Sequence, residues 1–426
     1  MFQAINSKIK DFSNNTVLVG TAAVSFGILV GSFFSYFIQF FLGRSLEIND
    51  YGTFNALLAF FNVISVPSAV ISLSLIKIVS EIKANNDFKL LTSLFWKITG
   101  FMLFIGLVLL VVVNINKDFI AAYFKISESS YILLIGACIL INFVLMVPAA
   151  YLQGLLRFKA YGIFNAASGL IRFAITVALV MLGYKLNGAL ASIFLSEVIA
   201  LGLSILLLRK NLRRYEKLDI NPFIKKMLLF TAPVLFVNLS MMALNNLDMV
   251  LAKKFLEESV VGYYASVVTV GKVLLFGAGT VSVIMFPQIS ELVTKKVNCI
   301  PAFKKLLVIQ LALIIAGIGF FTLFSKFIVL FMFGERFLPA VPYVPKFSIF
   351  MGLYVLINFL TMFFLAIDFK RIIIYQVPAV IGQFILLNIY NKSIDEIINV
   401  NIFVSTCLLL ALAGQLMKSK KLFLYE

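Results

Sequence analysis

The sequence contains no histidine, which removes Ser-His-Asp and Cys-His catalytic constellations, HExxH zinc sites and histidine proton relays together. Its three cysteines, Cys138, Cys299 and Cys407, lie far apart and form no CxxC pair, so no disulfide framework or thiolate metal site is implied. Charge is scarce: 13% of the residues are charged, where a soluble domain averages about 25%. Gly271-Lys272 stands in no GxxxxGK[ST] frame, and Gly277-Ala278-Gly279 lacks the third glycine of a dinucleotide fingerprint. The 45 phenylalanines follow lipid-facing and core positions, without a stacking platform for bases.

What is present is apolar length. Of the 426 residues, 62% are hydrophobic, and the mean hydropathy is +1.05. Runs of about 18 or more apolar residues, enough to cross a hydrocarbon core of about 30 Å, recur from end to end. The chain is therefore read as an all-α polytopic membrane protein of about twelve transmembrane helices. The first six spans are placed at 16–42, 51–79, 91–114, 129–153, 160–182 and 188–208. The second six are placed at 223–250, 260–287, 303–332, 343–367, 372–390 and 398–417. The run 16–42 is too long for a signal-peptide core and lacks a clear cleavage site, so it is read as the first span. Bends are expected at Pro67 in span two and at Gly277 and Gly279 in span eight.

Lys and Arg positions set the orientation. With the N-terminus cytoplasmic, 24 of the 36 basic residues fall on the inside and 10 outside, among them Arg44, Lys253 and Lys254. Only Arg172 and Lys272 sit deep in spans. Both termini are thus expected inside, and the net charge of +17 needs no nucleic-acid partner. The basic stretch 209–222, with Arg209, Lys210, Arg213, Arg214 and Lys217, either lies on the anionic inner leaflet or only fixes topology. It divides a lobe at 1–208 from a lobe at 223–426.

The two lobes are related. Shifted by 210 positions, Leu42–Glu81 falls on Ala252–Glu291: Arg44 meets Lys254, Leu46 meets Leu256, Glu47 meets Glu257 and Gly52 meets Gly262. Ser72, Ser80 and Glu81 meet Ser282, Ser290 and Glu291, and Pro67 meets Gly277. A shift of six spans preserves orientation, so these are parallel repeats about an axis along the membrane normal, for which a central cavity between lobes is expected. The repeat breaks at Lys272, which falls on Asn62.

A lysine near the bilayer midplane costs at least about 2.5–3.5 kcal/mol. Lys272 is expected either to bind an anion in a protein-lined interior or to partner a carboxylate or helix end. Arg172 in span five and Glu197 in span six each lie about 12 residues, hence about 18 Å, from the same membrane face. They are read either as an intramembrane ion pair that fixes one packing or as a switch released by an anionic substrate or a proton. Asp248, after Asn245 and Asn246, is either a coupling site for a cation or proton or a solvated carboxylate near the outer surface. Lys77 and Lys97 are expected to snorkel to the surface. Among mid-span amides that include Asn142 and Asn165, Asn62 and Gln383 stand out, occupying repeat positions equivalent to Lys272 and close to that of Arg172. Pro67, Gly277 and Gly279 are static kinks or hinges. No metal site or cofactor is expected, beyond H+ or Na+ as coupling ions.

Several segments carry a family resemblance. They are Leu42-Gly43-Arg44-Ser45-Leu46 leading to Asp50-Tyr51-Gly52-Thr53-Phe54, and Leu152-Gln153-Gly154-Leu155-Leu156-Arg157-Phe158-Lys159. In the second half they are Leu247-Asp248-Met249-Val250-Leu251, Val261-Gly262-Tyr263-Tyr264 and Phe286-Pro287-Gln288-Ile289-Ser290. Together the chain resembles the polysaccharide-biosynthesis (O-antigen type) flippases of the multidrug/oligosaccharidyl-lipid/polysaccharide exporter (MOP) superfamily. The resemblance implies two six-helix lobes around a central cationic cavity. Through it a polyprenyl-pyrophosphate-linked oligosaccharide would pass from inner to outer leaflet by alternating access, for O-antigen, capsule or exopolysaccharide assembly. It implies a bacterial cytoplasmic membrane location and polysaccharide polymerase machinery as a partner beside the lipid bilayer. The two extra helices usual in related lipid II flippases are lacking, and bases stand where related multidrug exporters tend to place carboxylates. An anionic headgroup with hydrophilic sugars needs a hydrated basic path, for which Lys272 and Arg172 are the candidate headgroup ligands and Arg44 a third near the outer mouth.

Two other functions compete. A cation-coupled multidrug or small-molecule exporter of the same superfamily would need Glu197 and Asp248 to dominate. A membrane glycan polymerase or glycosyltransferase would need a sizeable extramembrane loop with catalytic acids or metal ligands. The longest outer loop, around 115–128, is too short for that, so the chain is not expected to be an enzyme.

Overall fold

The computed structural model describes residues 16–126, 128–212, 218 and 220–418. Lys8, Lys10, Lys420, Lys421 and, from the basic stretch between the lobes, Arg213, Arg214, Glu216, Lys217 and Asp219 lie outside the described residues. Fifteen α-helices and no strand occur among the described residues. They are α1 Thr16–Ser45, α2 Ile48–Ile64, α3 Val66–Ala84, α4 Phe88–Ile115, α5 Lys117–Tyr123, α6 Ser130–Gly154, α7 Phe158–Leu179 and α8 Lys185–Leu208. After the stretch between the lobes come α9 Asn221–Phe255, α10 Glu258–Thr294, α11 Ile300–Leu323, α12 Ser325–Phe333, α13 Tyr343–Ala366, α14 Ile373–Ile389 and α15 Ile394–Lys418.

Among the described residues nine helical stretches are long and apolar enough to cross a membrane, or ten with one bent pair. α2 and α3 form one span bent by 43°. Pro67 sits in the first turn of α3, where its missing N–H costs no helical hydrogen bond. α7 and α8 form one apolar stretch of 51 residues, but Thr176 Oγ1 lies 2.8 Å from Ser192 Oγ. In a straight helix those positions would be about 24 Å apart. The chain therefore reverses at the π-helical turn Val180–Tyr184, where Gly183 takes φ 91°. α14 is a shorter apolar helix of 17 residues. Within the predicted ninth span the helix breaks at Phe324, giving α11 and the nine-residue α12. The predicted outer loop 115–128 contains the short helix α5. α10 runs through Gly277 and Gly279 as a single 37-residue helix.

Helix ends are closed by backbone and by cations. Asn86, Lys125, Leu156, Lys296 and Asp368 all take left-handed φ values between 51° and 58° just past a helix. At Asn86 and Lys296, which correspond at the 210-residue shift, the closing bonds match as well: Asn86 N to Lys83 O and Asp87 N to Ile82 O, Lys296 N to Val293 O and Val297 N to Leu292 O. This is the Schellman arrangement, formed without the glycine that usually supplies it. Beside the end of α6, Lys83 Nζ donates to Leu155 O at 2.6 Å. Arg157 donates to Leu207 O and, at 2.7 Å, to Asn211 Oδ1 at the end of α8. Lys97 Nζ reaches out of α4 to donate to Leu218 O, in the stretch between the lobes, at 2.5 Å. Cations at helix C-termini complement the macrodipole as well as the unpaired carbonyls.

The chain forms two compact units: Met1–Ser45 with Ile64–Val234, and Leu46–Val63 with Leu235–Glu426. In the first, α1 packs along α7, and a Cβ on Gly27 would overlap the backbone of Gly162. Small residues let these backbones approach where lipid offers no hydrophobic drive between helices. In the second, α2 packs on α10, and Gly52 faces Gly262, its own repeat equivalent: a Cβ on Gly52 would lie 2.8 Å from Gly262 N. Tyr51 Oη meets Thr269 Oγ1 at 2.9 Å beside this crossing. The core there is aromatic, with Tyr51, Phe333 and Phe337 in mutual contact at centroid distances of 5.2–5.8 Å.

Candidate functional site

In the first unit α1, α6, α7 and α8 surround a cavity of about 350 Å³. Arg172 and Glu197 both line it. No direct ion pair joins them among the described residues, although each lies within electrostatic reach of the other. Arg172 Nε and Glu197 Oε2 are buried without a hydrogen-bond partner. The amide of Asn142 lies beside Glu197, and Ser68 Oγ donates to Asn142 Oδ1 at 2.9 Å. The intramembrane ion pair is therefore replaced by two charged groups sharing one open pocket. The helices are fixed close by, where Thr176 Oγ1 donates to Arg172 O at 2.7 Å and contacts Ser192 Oγ.

The second unit holds a base and an acid in a different state. Asp248 is fully buried, which removes the alternative of a solvated carboxylate near the outer surface. Tyr264 Oη donates to its Oδ2 at 2.5 Å and Asn401 Nδ2 to the same oxygen at 2.9 Å, while Met249 N donates to Oδ1 at 2.8 Å. Three donors surround an acceptor-only carboxylate, as burial of a charge demands. Gln383 extends the network, its Nε2 lying 2.9 Å from Asn401 Oδ1 and 3.1 Å from Leu244 O. Lys272 Nζ donates to Asn246 Oδ1 at 3.2 Å, and the Asp248 charge lies within its electrostatic reach. Asn246 in turn donates to Met242 O at 2.9 Å.

The sequence-derived candidates thus fall into two groups. Arg172 and Glu197 come together in the first unit, and Lys272, Asp248 and Gln383 in the second. Arg44 is exposed at the end of α1, its guanidinium 5.0 Å from the centre of the Phe40 ring. Asn62 is half-buried on α2. Lys253, counted among the outer-loop cations, is buried with 2% exposure. Tyr264 and Asn401 complete the carboxylate shell and were not singled out from sequence. A mid-span amide in the last span and a tyrosine 16 residues after Asp248 are the signals that mark them.

An all-helical chain with nine or more membrane-capable stretches among the described residues, and charged groups held inside its helices, is a multi-pass membrane protein of transporter fold. Residues 17–293 match the polysaccharide biosynthesis protein family, and the chain belongs to that family. No curated protein matches it. Its fold is that of the MOP superfamily. It is similar to the lipid II flippase MurJ in an inward closed conformation, at TM-score 0.71 and 14% identity over 94% of this chain and 87% of that one. It is also similar to an inward-facing multidrug resistance MATE family transporter, at TM-score 0.70 and 13% identity over 91% and 95%. A MOP superfamily transporter from Pyrococcus furiosus, described as having a binding pocket of reversed polarity, aligns at TM-score 0.60 and 14% identity over 93% and 95%.

Proposed function

We propose that this protein is a flippase that moves a polyprenyl-pyrophosphate-linked oligosaccharide from the inner to the outer leaflet of a bacterial cytoplasmic membrane by alternating access. Its product would serve O-antigen, capsule or exopolysaccharide assembly, and polymerase machinery would receive it. The observation that carries this reading is Arg172: an arginine deep in an apolar span, with a buried nitrogen left unpartnered beside a polar cavity, in a chain of a polysaccharide biosynthesis family. An intramembrane charge kept without a tight partner is expensive unless a ligand or water uses it. Lys272 is the headgroup ligand contributed by the second unit, released from Asn246 when the anion arrives, and Arg44 receives the headgroup near the outer mouth. Asn62 and Gln383 are polar groups of the path.

In this proposal the lobes are 1–208 and 223–426 with both termini cytoplasmic, and Pro67, Gly277 and Gly279 are where the long helices flex. A proton or sodium ion at Asp248 or Glu197 supplies the coupling. The test is reconstitution into liposomes with a fluorescent polyprenyl-pyrophosphate sugar. Arg172→Ala is expected to slow translocation at least about tenfold, about 1.4 kcal/mol in the barrier, and Lys272→Ala to slow it as well. Unchanged translocation in both variants overturns the cationic mechanism.

The buried carboxylate of Asp248 favours one competing reading, a cation-coupled multidrug or small-molecule exporter. It predicts that the reconstituted protein moves lipophilic cations and leaves the lipid-linked sugar in place.

A further inference from the structure

The hydroxyls around Arg172 share a feature that a pocket built for an anion alone would not need. Ser35 Oγ donates to Gly31 O at 3.0 Å, Ser168 Oγ to Phe164 O at 2.6 Å and Ser196 Oγ to Ile193 O at 2.9 Å. Asn165 Nδ2 donates to Tyr161 O at 2.8 Å. Each of these side chains lines the cavity, and each donates to a carbonyl of its own helix one turn back. A serine hydroxyl that has given away its proton retains two lone pairs, and an amide that has donated retains its carbonyl oxygen. The three serines thus offer the cavity acceptors, Asn165 offers a carbonyl oxygen and its second N–H, and Ser32 on the same wall adds a hydroxyl. Glu197 adds a carboxylate oxygen, buried and unpartnered, which is acceptor-only when ionised. Among the described residues Arg172 is the one cation lining the pocket.

This lining suits a bare phosphate poorly, since its oxygens would meet the Glu197 carboxylate and the serine lone pairs, while Ile28, Leu145, Phe164 and Ala200 give it nothing to bind. Arg172 argues against an organic cation. A polyol satisfies both conditions, since each of its hydroxyls brings a donor for a serine, amide or carboxylate oxygen and an acceptor for the guanidinium. The volume, about 350 Å³, sits at the small end of the roughly 300–1,000 Å³ of small-molecule sites, which suits one ring and not a chain of them.

We infer that the α1–α6–α7–α8 cavity is a subsite for a single sugar ring of the lipid-linked glycan, with Glu197 and the serine oxygens accepting its hydroxyl protons and Arg172 spanning the ring and the adjoining phosphate. This rests on the flippase reading and names the part of the substrate that the first unit reads.

The test compares two lipids on the full-length protein in nanodiscs: polyprenyl diphosphate bearing one N-acetylhexosamine, and polyprenyl diphosphate alone. Wild type is expected to bind the sugar-bearing lipid at least about tenfold more tightly. Glu197→Gln keeps the size of the side chain, and is expected to reduce that preference about tenfold while binding of the bare diphosphate holds or improves. Ser168→Ala, a milder change in case the first variant folds poorly, is expected to reduce it about threefold. Arg172→Ala weakens both lipids. Equal wild-type affinities for the two lipids, or a sugar preference untouched in Glu197→Gln and Ser168→Ala, overturn the sugar subsite. The flippase reading survives that result if either lipid is translocated in vesicles. Absence of both binding and translocation for both lipids overturns the two together.

Discussion

Each compact unit sets a base and an acid near one another inside its helices, Arg172 with Glu197 and Lys272 with Asp248, and the two pairs are treated differently. In the second unit Asp248 accepts three hydrogen bonds and Lys272 has an amide to bind. In the first, Arg172 and Glu197 face an open pocket and leave a nitrogen and an oxygen unpartnered. Burial penalises both arrangements, but only the closed one recovers the cost within the fold. Asp248 thus has its charge met within the fold, whereas Arg172 and Glu197 each keep a buried polar atom without a partner.

The sharpest way to break this contrast is to remove each acid. Asp248→Ala should cost about 3–5 kcal/mol of stability, the range for taking one partner from a buried charged network. Glu197→Ala should cost less than Asp248→Ala, since no hydrogen bond to its Oε2 is lost. Unfolding in detergent, followed by the fluorescence of Trp96, reads both; equal losses would erase the distinction. Tyr264→Phe removes one charge-assisted bond and should cost about 1.5–3 kcal/mol, with no change in lipid binding.

The charge swap Arg172→Glu with Glu197→Arg is the next test. It should leave stability within about 1 kcal/mol and fail to restore transport, because the cavity wall around the moved charges is not symmetric. Full restoration of transport would make the pair structural only. Smallest in stability is Lys272→Met, expected within about 1 kcal/mol, because the one bond it loses is a long one to a neutral amide.

The passes were legible because hydrocarbon imposes a length on each of them, and span ends differ from helix ends by a few residues throughout. The breaks at Phe324 and inside 115–128 were not, since an apolar or short helix lying beyond a span carries the same residue types as the span or the loop. Membership of Leu46–Val63 in the second unit follows from its packing on α10, a long-range contact that no local pattern announces. Arg172, Glu197 and Lys272 stood out because a charge in an apolar run is visible in one dimension. Asp248 was misplaced for the complementary reason: its distance from the span end suggested water, while Tyr264 and Asn401, which bury it, are 16 and 153 residues away. The direction of the serine protons is a property of folded helices and has no trace in the sequence.

The meeting of Gly52 with Gly262 ties two positions 210 residues apart to one another. A Cβ on Gly52 would lie 2.8 Å from Gly262 N, and one on Gly262 would lie 2.2 Å from Ile48 O. A side chain gained at either glycine therefore has to push apart α2 and α10, so each holds open the space the other needs.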